Sequence, residues 1–413
     1  MKTKKSVIFF SAILILILVV SILGGCNTPS EPTTPSTTST PTDEAKTLQI
    51  GALLSMTGIF STREIPDYNQ LLICADIINS NGGITVNGQK YNIEIVVEDC
   101  KSTMDGVTAA ATKMVLDRNI KLMVGPIAFF AAAASPVCDP NQALRVLSWC
   151  TNSPGELDEN TPYSFLGCNA SVAEAMAGSK YLKQAYPDVK KVIVVNPDDG
   201  AQSFLMPTVI QSLENEGFEV LDQIYYPNEM QDFSSIAAKI NSYSDADATY
   251  QANGLGSAVS AIIKSLRELG NTNPYASALP TSLKELVILA GAENCKDVFA
   301  CAISPDAELA PVAKEICNRT VAEYGEDYSL YLTAADALWD LKEAIEAAQS
   351  LDSTAIKDQW ETMDTMDTIF GKGYLGGLET FGINHAMSHS QAVMVMKDGE
   401  AVFGTNVDIG RIP

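Results

Sequence analysis

From Leu48 onward the chain alternates short apolar runs with longer stretches whose apolar residues recur every three or four positions. Residues 48–54 read as a strand that ends in the loop Ser55-Met56-Thr57-Gly58. Tyr68, Leu71, Leu72, Ala75 and Ile78 then fall at helical spacing, and Gly82-Gly83 closes that helix. Asn87-Gly88 is a two-residue hairpin turn into Tyr91, Ile93, Ile95 and Val97, which alternate as strand residues do. A helix over 104–116, a strand over 121–124, an alanine-rich helix over 130–135 and a strand over 145–149 follow. Right-handed crossovers make such a series a parallel sheet with helices on both faces. The pattern then restarts. Helices over 172–185, 204–216, 233–240 and 258–269 alternate with strands over 192–195, 218–224, 248–250 and 286–290. Residues 192–195 are continuously apolar, as in a strand buried on both faces. A long helical stretch at 307–350 and two last strands near 391–396 and 401–403 complete the chain. The pattern predicts two separate α/β sheets of similar size.

The start of the chain is of a different kind. Lys2, Lys4 and Lys5 precede an apolar run over 7–23, broken only by Ser11 and Ser21 and ending in Leu23-Gly24-Gly25-Cys26. This resembles the lipobox of bacterial lipoproteins; a plain secretory signal or one anchoring helix are the alternatives. The resemblance implies that residues 1–25 are a signal peptide and that Cys26 is diacylated on its sulfur. Two acyl chains suffice for stable anchoring where one is marginal. Residues 26–46 then form a Pro/Thr/Ser tether with almost nothing to bury, which stays extended. The expected location is extracytoplasmic and membrane-anchored, at the cell surface or in a periplasm.

The formal net charge is −23, and −26 once the three leader lysines are removed. Such a surface repels nucleic acid and anionic head groups, so no nucleic-acid partner is expected. Eight cysteines follow Cys26, of which Cys295 and Cys301 would close the shortest loop. None shows CxxC or Cys/His metal spacing, and most read as small buried apolar residues.

IGALLSMTG (50–58), DIINSNGGI (76–84), NGQKYNIEIVVED (87–99) and KLMVGP (121–126) resemble the branched-chain amino-acid ABC transporter substrate-binding proteins. KKVIVVNPDDG (190–200), QDFSSIAAKI (231–240) and ILAGAEN (288–294) continue the resemblance in order. It implies the type I periplasmic-binding-protein clamshell, two doubly wound Rossmann-like lobes joined by a three-crossing hinge. By analogy, lobe 1 comprises residues 47–168 plus 304–362, and lobe 2 comprises 169–303 plus 363–413. The implied function is that of an extracytoplasmic solute receptor of an ABC importer. Its ligand would be a small amino acid or a related organic acid or amide, and its partners an ABC permease and ATPase. A ligand-sensing receptor for a signalling partner would use the same cleft.

Ligands of open α/β sheets sit beyond the carboxyl ends of the strands, so the loops leaving those ends supply the candidate contacts. Relatives hold the ligand carboxylate with small hydroxyls, here matched by Ser55 and Thr57 in the first loop and by Thr151 and Asn152 after Trp149. Thr151 and Asn152 are equally ordinary turn formers. Relatives hold the ammonium with an acid, and the resemblance gives that position to Glu293; a solvated Glu at a helix start is the alternative. After Gly125-Pro126 this chain carries Phe129 and Phe130 where relatives often carry Ser, which suits a flat ligand body or simple packing beneath a helix. Arg63 offers a fork for a carboxylate, or a pair for Glu64. Asn253 is within reach of the same cleft. HExxH, GxSxG and GxxxxGK[ST] are lacking in the sequence. With His385 and His389 read as structural, no enzyme activity, cofactor or metal is expected.

Overall fold

The computed structural model describes residues 44–149, 155–198, 203, 205–278 and 282–413. β1 (Lys46–Leu54) runs from exposed residues at its start to five consecutive buried ones at its end. It feeds α1 (Ser61–Ser80) and the hairpin β2 (Ile84–Val86) and β3 (Gln89–Asp99), turned at Asn87-Gly88 with positive φ at both residues. α2 (Met104–Thr112) is capped by Thr103, whose hydroxyl accepts from Gly106 N, and its last turn widens over Lys113–Asp117. β4 (Leu122–Val124), α3 (Ala131–Cys138), β5 (Leu144–Leu147) and β6 (Ser164–Leu166) complete the first run. The second run is α4 (Ser171–Ala185), β7 (Lys191–Asp198), α5 (Met206–Asn215), β8 (Glu219–Pro227) and α6 (Ser234–Asn241). It continues through β9 (Ala248–Gln251), α7 (Gly256–Glu268), β10 (Tyr275–Ser277), α8 (Leu283–Ala290) and β11 (Val298–Cys301). The remainder is α9 (Pro311–Tyr324), α10 (Thr333–Ala348), α11 (Ser353–Trp360), β12 (Thr365–Thr368) and β13 (Gly371–Gly376). α12 (Leu378–Phe381), β14 (Ala386–His389), β15 (Gln391–Lys397) and β16 (Glu400–Val407) end it.

Two sheets result. The first has nine strands in the order β12-β13-β14-β6-β5-β4-β1-β3-β2, parallel from β14 through to β3. The second has seven, β16-β15-β11-β10-β9-β7-β8, parallel from β11 through to β8. In each the chain winds outward in both directions from one central strand, β1 in the first and β7 in the second. Three passages join them, between β6 and α4, between β11 and α9, and between β14 and β15. Asn169 knits the first passage to the third. Its Nδ2 donates to His389 O at 3.1 Å and Gln391 Oε1 at 2.9 Å, while its Oδ1 accepts from His389 N at 2.9 Å.

Three sequence expectations are corrected. Residues 286–290 are helical, not a strand. Ser282 caps α8 by accepting from Glu285 N, Gly291 ends it at φ 91°, and Ile288 is 81% exposed, which a buried strand would not allow. The stretch 307–350 is two helices, broken at Gly325 with φ 100°. The strands within 365–389 belong with the first sheet, because β14 lies parallel to β6 through Ala386 and Leu166, and β13 and β12 pair outward from it. Only β15 and β16 of the last fifty residues pair in the second sheet.

In the first core Trp360, fully buried, stacks on Phe165 with ring centroids 4.2 Å apart, and the other neighbour of Phe165 is the His385 ring at 3.9 Å. His385 is fixed there by Ser164 O and Glu361 Oε1, both at 2.8 Å. Trp360→Ala should lower unfolding free energy by about 3–5 kcal/mol in urea denaturation, the range for emptying an aromatic site. A loss under about 1 kcal/mol would show that the stack does not hold α11 to the sheet.

The first turns of α1 bury two carboxyls, Glu64 and Asp67. Glu64 Oε2 accepts from Ser55 N at 2.6 Å, yet burial outweighs that bond and pushes the carboxyl from its usual 4.5 up to about 7. The native state therefore holds this proton more tightly than the unfolded chain between those values. The contribution to stability is full below pH 4.5 and is lost as pH rises through about 7. At roughly 1.4 kcal/mol per unit the loss is about 3 kcal/mol. Glu64→Gln, which keeps an acceptor for Ser55 N, should flatten the fall in stability between pH 5 and pH 8 by that order in urea titrations. An unchanged pH slope would refute the assignment to Glu64.

Candidate functional site

The doubly wound order places a crevice beyond the carboxyl ends of β1 and β4, where successive connections leave in opposite directions. β1 delivers the loop 55–60 and the start of α1, and β4 delivers Gly125-Pro126, joined by a cis peptide. Gly125 has φ 82°, and a Cβ there would sit 2.4 Å from Leu53 O, so only glycine lets the two strands' exits lie side by side.

Arg63 rises into this crevice from the first turn of α1. Its guanidinium lies 4.9 Å from the Trp149 ring centroid and 4.8 Å from that of Tyr331, so aromatic rings flank it. Nη2 donates to Thr333 Oγ1 at 3.3 Å, and Nη1 lies 3.6 Å from Asp67 Oδ2. Asp67 is itself fully buried, and accepts from Thr333 Oγ1 at 2.6 Å and Ala334 N at 3.0 Å. Burial raises the Asp67 carboxyl, and the Arg63 charge opposes that shift. Nη1 of Arg63 is buried without a hydrogen bond, and so are Trp149 Nε1 and Ser148 Oγ at the exit of β5. Each such buried, unpaired group costs about 1–3 kcal/mol until something pairs with it. With rings beside its faces and Asp67 orienting it, the guanidinium can offer an incoming oxyanion its edge.

The other expected residues divide. Phe129 is 50% exposed, whereas Phe130 is buried beneath it, and the two rings meet edge to face at 5.1 Å. Asn253 is half-buried at the exit of β9, its N–H donating to Asn196 Oδ1 at 2.8 Å. The polar groups of Ser55 and Thr57 are already engaged. Ser55 N donates to Glu64 and its hydroxyl accepts from Ser102 N, while the Thr57 hydroxyl donates to Asp99 Oδ2 at 2.7 Å. Cys26, Thr151 and Asn152 lie outside the described residues. Glu293 is not where the resemblance put it. It is exposed in the turn that leads into β11, at the entry edge of the parallel strands rather than the exit edge. Arg267 holds that turn from the same edge, donating to Asn294 O, Lys296 O and Asn273 O.

Tyr331 was missed, since no spacing marks an irregular residue ahead of α10. Among the described residues neither histidine is hydrogen-bonded to a hydroxyl or thiol. His389 is bonded to Ser390 O and lies 3.0 Å from Asp336 Oδ2. The seven described cysteines are buried free thiols; burial pushes Cys295 up to about 11 and Cys317 up to about 12, away from thiolate chemistry. Among the described residues no group of three or more His, Cys, Asp or Glu could hold a metal ion.

Residues 47–401 match the periplasmic binding protein family. Solved structures share the fold at low identity. A leucine-binding protein, LivK, from Thermotoga maritima is 21% identical with a TM-score of 0.67, covering 87% of this chain and 99% of its own. The branched-chain amino-acid substrate-binding protein LivJ of Streptococcus pneumoniae, in complex with isoleucine, is also 21% identical at 0.67, covering 88% and 100%. A solute-binding protein of an ABC transporter from R. palustris, in complex with benzoate, is 17% identical at 0.65, covering 88% and 96%. With two parallel-centred sheets, three passages and a crevice at the strand exits, the chain belongs to the periplasmic binding protein family of extracytoplasmic solute receptors.

Proposed function

We propose that this protein is the lipid-anchored receptor of an ABC importer and that Arg63 grips a carboxylate on its ligand. The observation that carries the second half is the guanidinium between Trp149 and Tyr331, with Nη1 buried and undonated at the exit of β1. Isoleucine and benzoate, bound by two proteins of like fold, share only a carboxylate as a charged oxygen group. Trp149 and the exposed Phe129 then cover the ligand body, with Thr151, Asn152 and Asn253 completing the polar contacts. Ser55 and Thr57 shape the first loop. Lobe 1 on this reading is the nine-stranded sheet with α1–α3 and α9–α11, and lobe 2 the seven-stranded sheet with α4–α8. Ligand touching both favours closure about the three passages.

Binding should appear as a rise in melting temperature after the protein is unfolded and refolded to strip bound solute. The panel would contain amino acids, aromatic acids, short carboxylates and amides. A ligand at about a hundredfold over its dissociation constant adds roughly 2.7 kcal/mol. Arg63→Met should weaken the hit by about ten- to hundredfold, the scale of a lost charged hydrogen bond, and Arg63→Lys by less. Equal binding by Arg63→Met, or a preference for uncharged ligands, would overturn the carboxylate reading.

The anchor is tested separately. Cys26→Ala should move the protein from the membrane fraction to the soluble one on cell fractionation, and a membrane fraction unaltered by the change would remove the lipid from this account.

A further inference from the structure

The chain has two histidines, and they stand at the two ends of one strand: His385 directly precedes β14 and His389 ends it. His389 is the residue at which the third passage leaves the first sheet for β15. It is only 5% exposed, with its ring stacked on Phe370 at 4.4 Å. Nδ1 lies 2.9 Å from Ser390 O, a backbone oxygen that can only accept, so Nδ1 carries a hydrogen. Asn169 Nδ2 also approaches Nδ1, at 3.4 Å, but already donates to His389 O and Gln391 Oε1. Nε2 lies 3.0 Å from Oδ2 of Asp336 on α10. That contact falls short of hydrogen-bond geometry, and neither atom is hydrogen-bonded elsewhere. Two bare lone pairs held so close and out of water would repel, so a proton lies between them, on Nε2 or on Oδ2. The pair as built holds one proton more than a neutral imidazole beside a carboxylate.

We propose that His389 and Asp336 form a proton-operated clamp on the third passage, closed while this extra proton is present and released when it leaves. A neutral imidazole beside an ionised Asp336 has one N–H for two acceptors. It can keep Ser390 O or turn its hydrogen to Asp336, and the other link is lost. The two links together tie α10, packed on the first sheet, to the backbone that crosses to the second. On release one N–H or O–H bond breaks, its electron pair stays on the pair, and the proton goes to solvent. Because receptors of this family are extracytoplasmic, the pH that sets the clamp is that of the surroundings.

The groups packed around the pair favour the protonated state. Burial raises the Asp336 carboxyl above its usual range, opposed by His389 and by the Ile369 N–H, which donates to Oδ1 at 3.3 Å. Asp340, one turn further along α10, is fully buried with neither oxygen hydrogen-bonded. Burial raises it well above the usual carboxylate range, with Asp336 and Glu343 adding to the rise. Cys74 of α1 and Cys168 of the first passage are raised by burial too and remain thiols. Glu308, Phe370 and Gln391 line with His389 a cavity of about 30 Å³, room for a water molecule beside the ring. A carboxyl raised by burial contributes while it is protonated, so the clamp holds at low pH and fails as pH rises. His385 differs. Its nitrogens lie 2.8 Å from Ser164 O and Glu361 Oε1, but Lys357 meets that same glutamate oxygen at 2.8 Å and Glu361 is exposed. Lysine and water satisfy Glu361 whether or not His385 holds a second proton, so the other end of β14 has no such clamp.

Hydrogen exchange followed by mass spectrometry on peptides from residues 387–393, corrected for the intrinsic rate at each pH, tests the clamp. In the unmodified protein their protection should fall between about pH 5 and pH 8, the range in which histidine pairs titrate. The fall should reach up to about tenfold per unit, since opening then releases one proton, while peptides from β7 stay constant. Asp336→Asn sets an amide N–H opposite the Nε2 lone pair and keeps an acceptor for Ile369 N. It should hold the clamp without a titrating proton, with protection at the acid level throughout and no slope. His389→Gln should show the alkaline level throughout. Constant protection in the unmodified protein overturns the proposal, and so does a slope that survives in Asp336→Asn. Protection at the alkaline level throughout in Asp336→Asn would show a packing role alone and overturn it as well. Should Asp336→Asn not fold, histidine-selective isotope labelling of the unmodified protein decides, with signals assigned through His385→Gln. The His389 ring nitrogens should then titrate over the range in which protection falls, and ring signals constant over that range sink the proposal. Failure leaves the Arg63 reading standing, since no ligand enters the measurement.

Discussion

A buried polar group must find a partner or cost about 1–3 kcal/mol, and the architecture of this protein turns on where that rule is met and where it is left open. Along the passages it is met closely. Asn169 spends its amide on His389 and Gln391, and His389 in turn lies against Asp336. Asp67 collects the first residues of α10, and Gln70 accepts from Tyr331 N and Leu332 N. These bonds hold α1 and α10 as one block, so that Arg63 projects from a rigid base. At the exit of β5 the rule is left open, at Ser148 Oγ and Trp149 Nε1, and beside them Arg63 Nη1 makes no hydrogen bond although it lies 3.6 Å from Asp67. Trp360 Nε1, by contrast, lacks a hydrogen bond deep within the first core.

Topology explains why the open groups meet there. Each sheet winds both ways from its central strand, so α1 and the connection after β4 diverge and leave space at the exits of β1 and β4. The glycine at 125 is the local condition for that space, since a side chain would strike Leu53 O. In the second lobe α4 follows a passage rather than a strand of its own sheet.

Much of this was legible in the sequence, for definite reasons. Long strands with buried alternation or continuous apolar runs, such as β3 and β7, and helices with clear spacing, such as α1 and α7, were readable because period and length agree. Strands of three or four residues, β6, β10 and β11, are too short to show a period. The apolar run at 287–290 mimicked a buried strand. The capping box Ser282-Leu283-Lys284-Glu285 was the contrary signal, and it was outweighed by composition. That one misreading displaced Glu293 to the wrong edge of the sheet. Arg63 was found because a basic residue in a cleft loop is scarce in so acidic a chain. Tyr331 was not, because it stands in the irregular stretch ahead of α10, where no period marks a residue. What the sequence withheld was which charges lose their water.

That distinction also settles an apparent conflict between charge and ligand. A chain of net charge −23 repels carboxylates at long range. Surface charges act through water, and salt screens them within about 8–10 Å, so each contributes little at the bottom of a crevice. A guanidinium out of solvent acts through a lower effective dielectric, where a contact pair is worth about 4 kcal/mol rather than about 1. One such group, held by Asp67 and Thr333 between two rings, outweighs the distant surface.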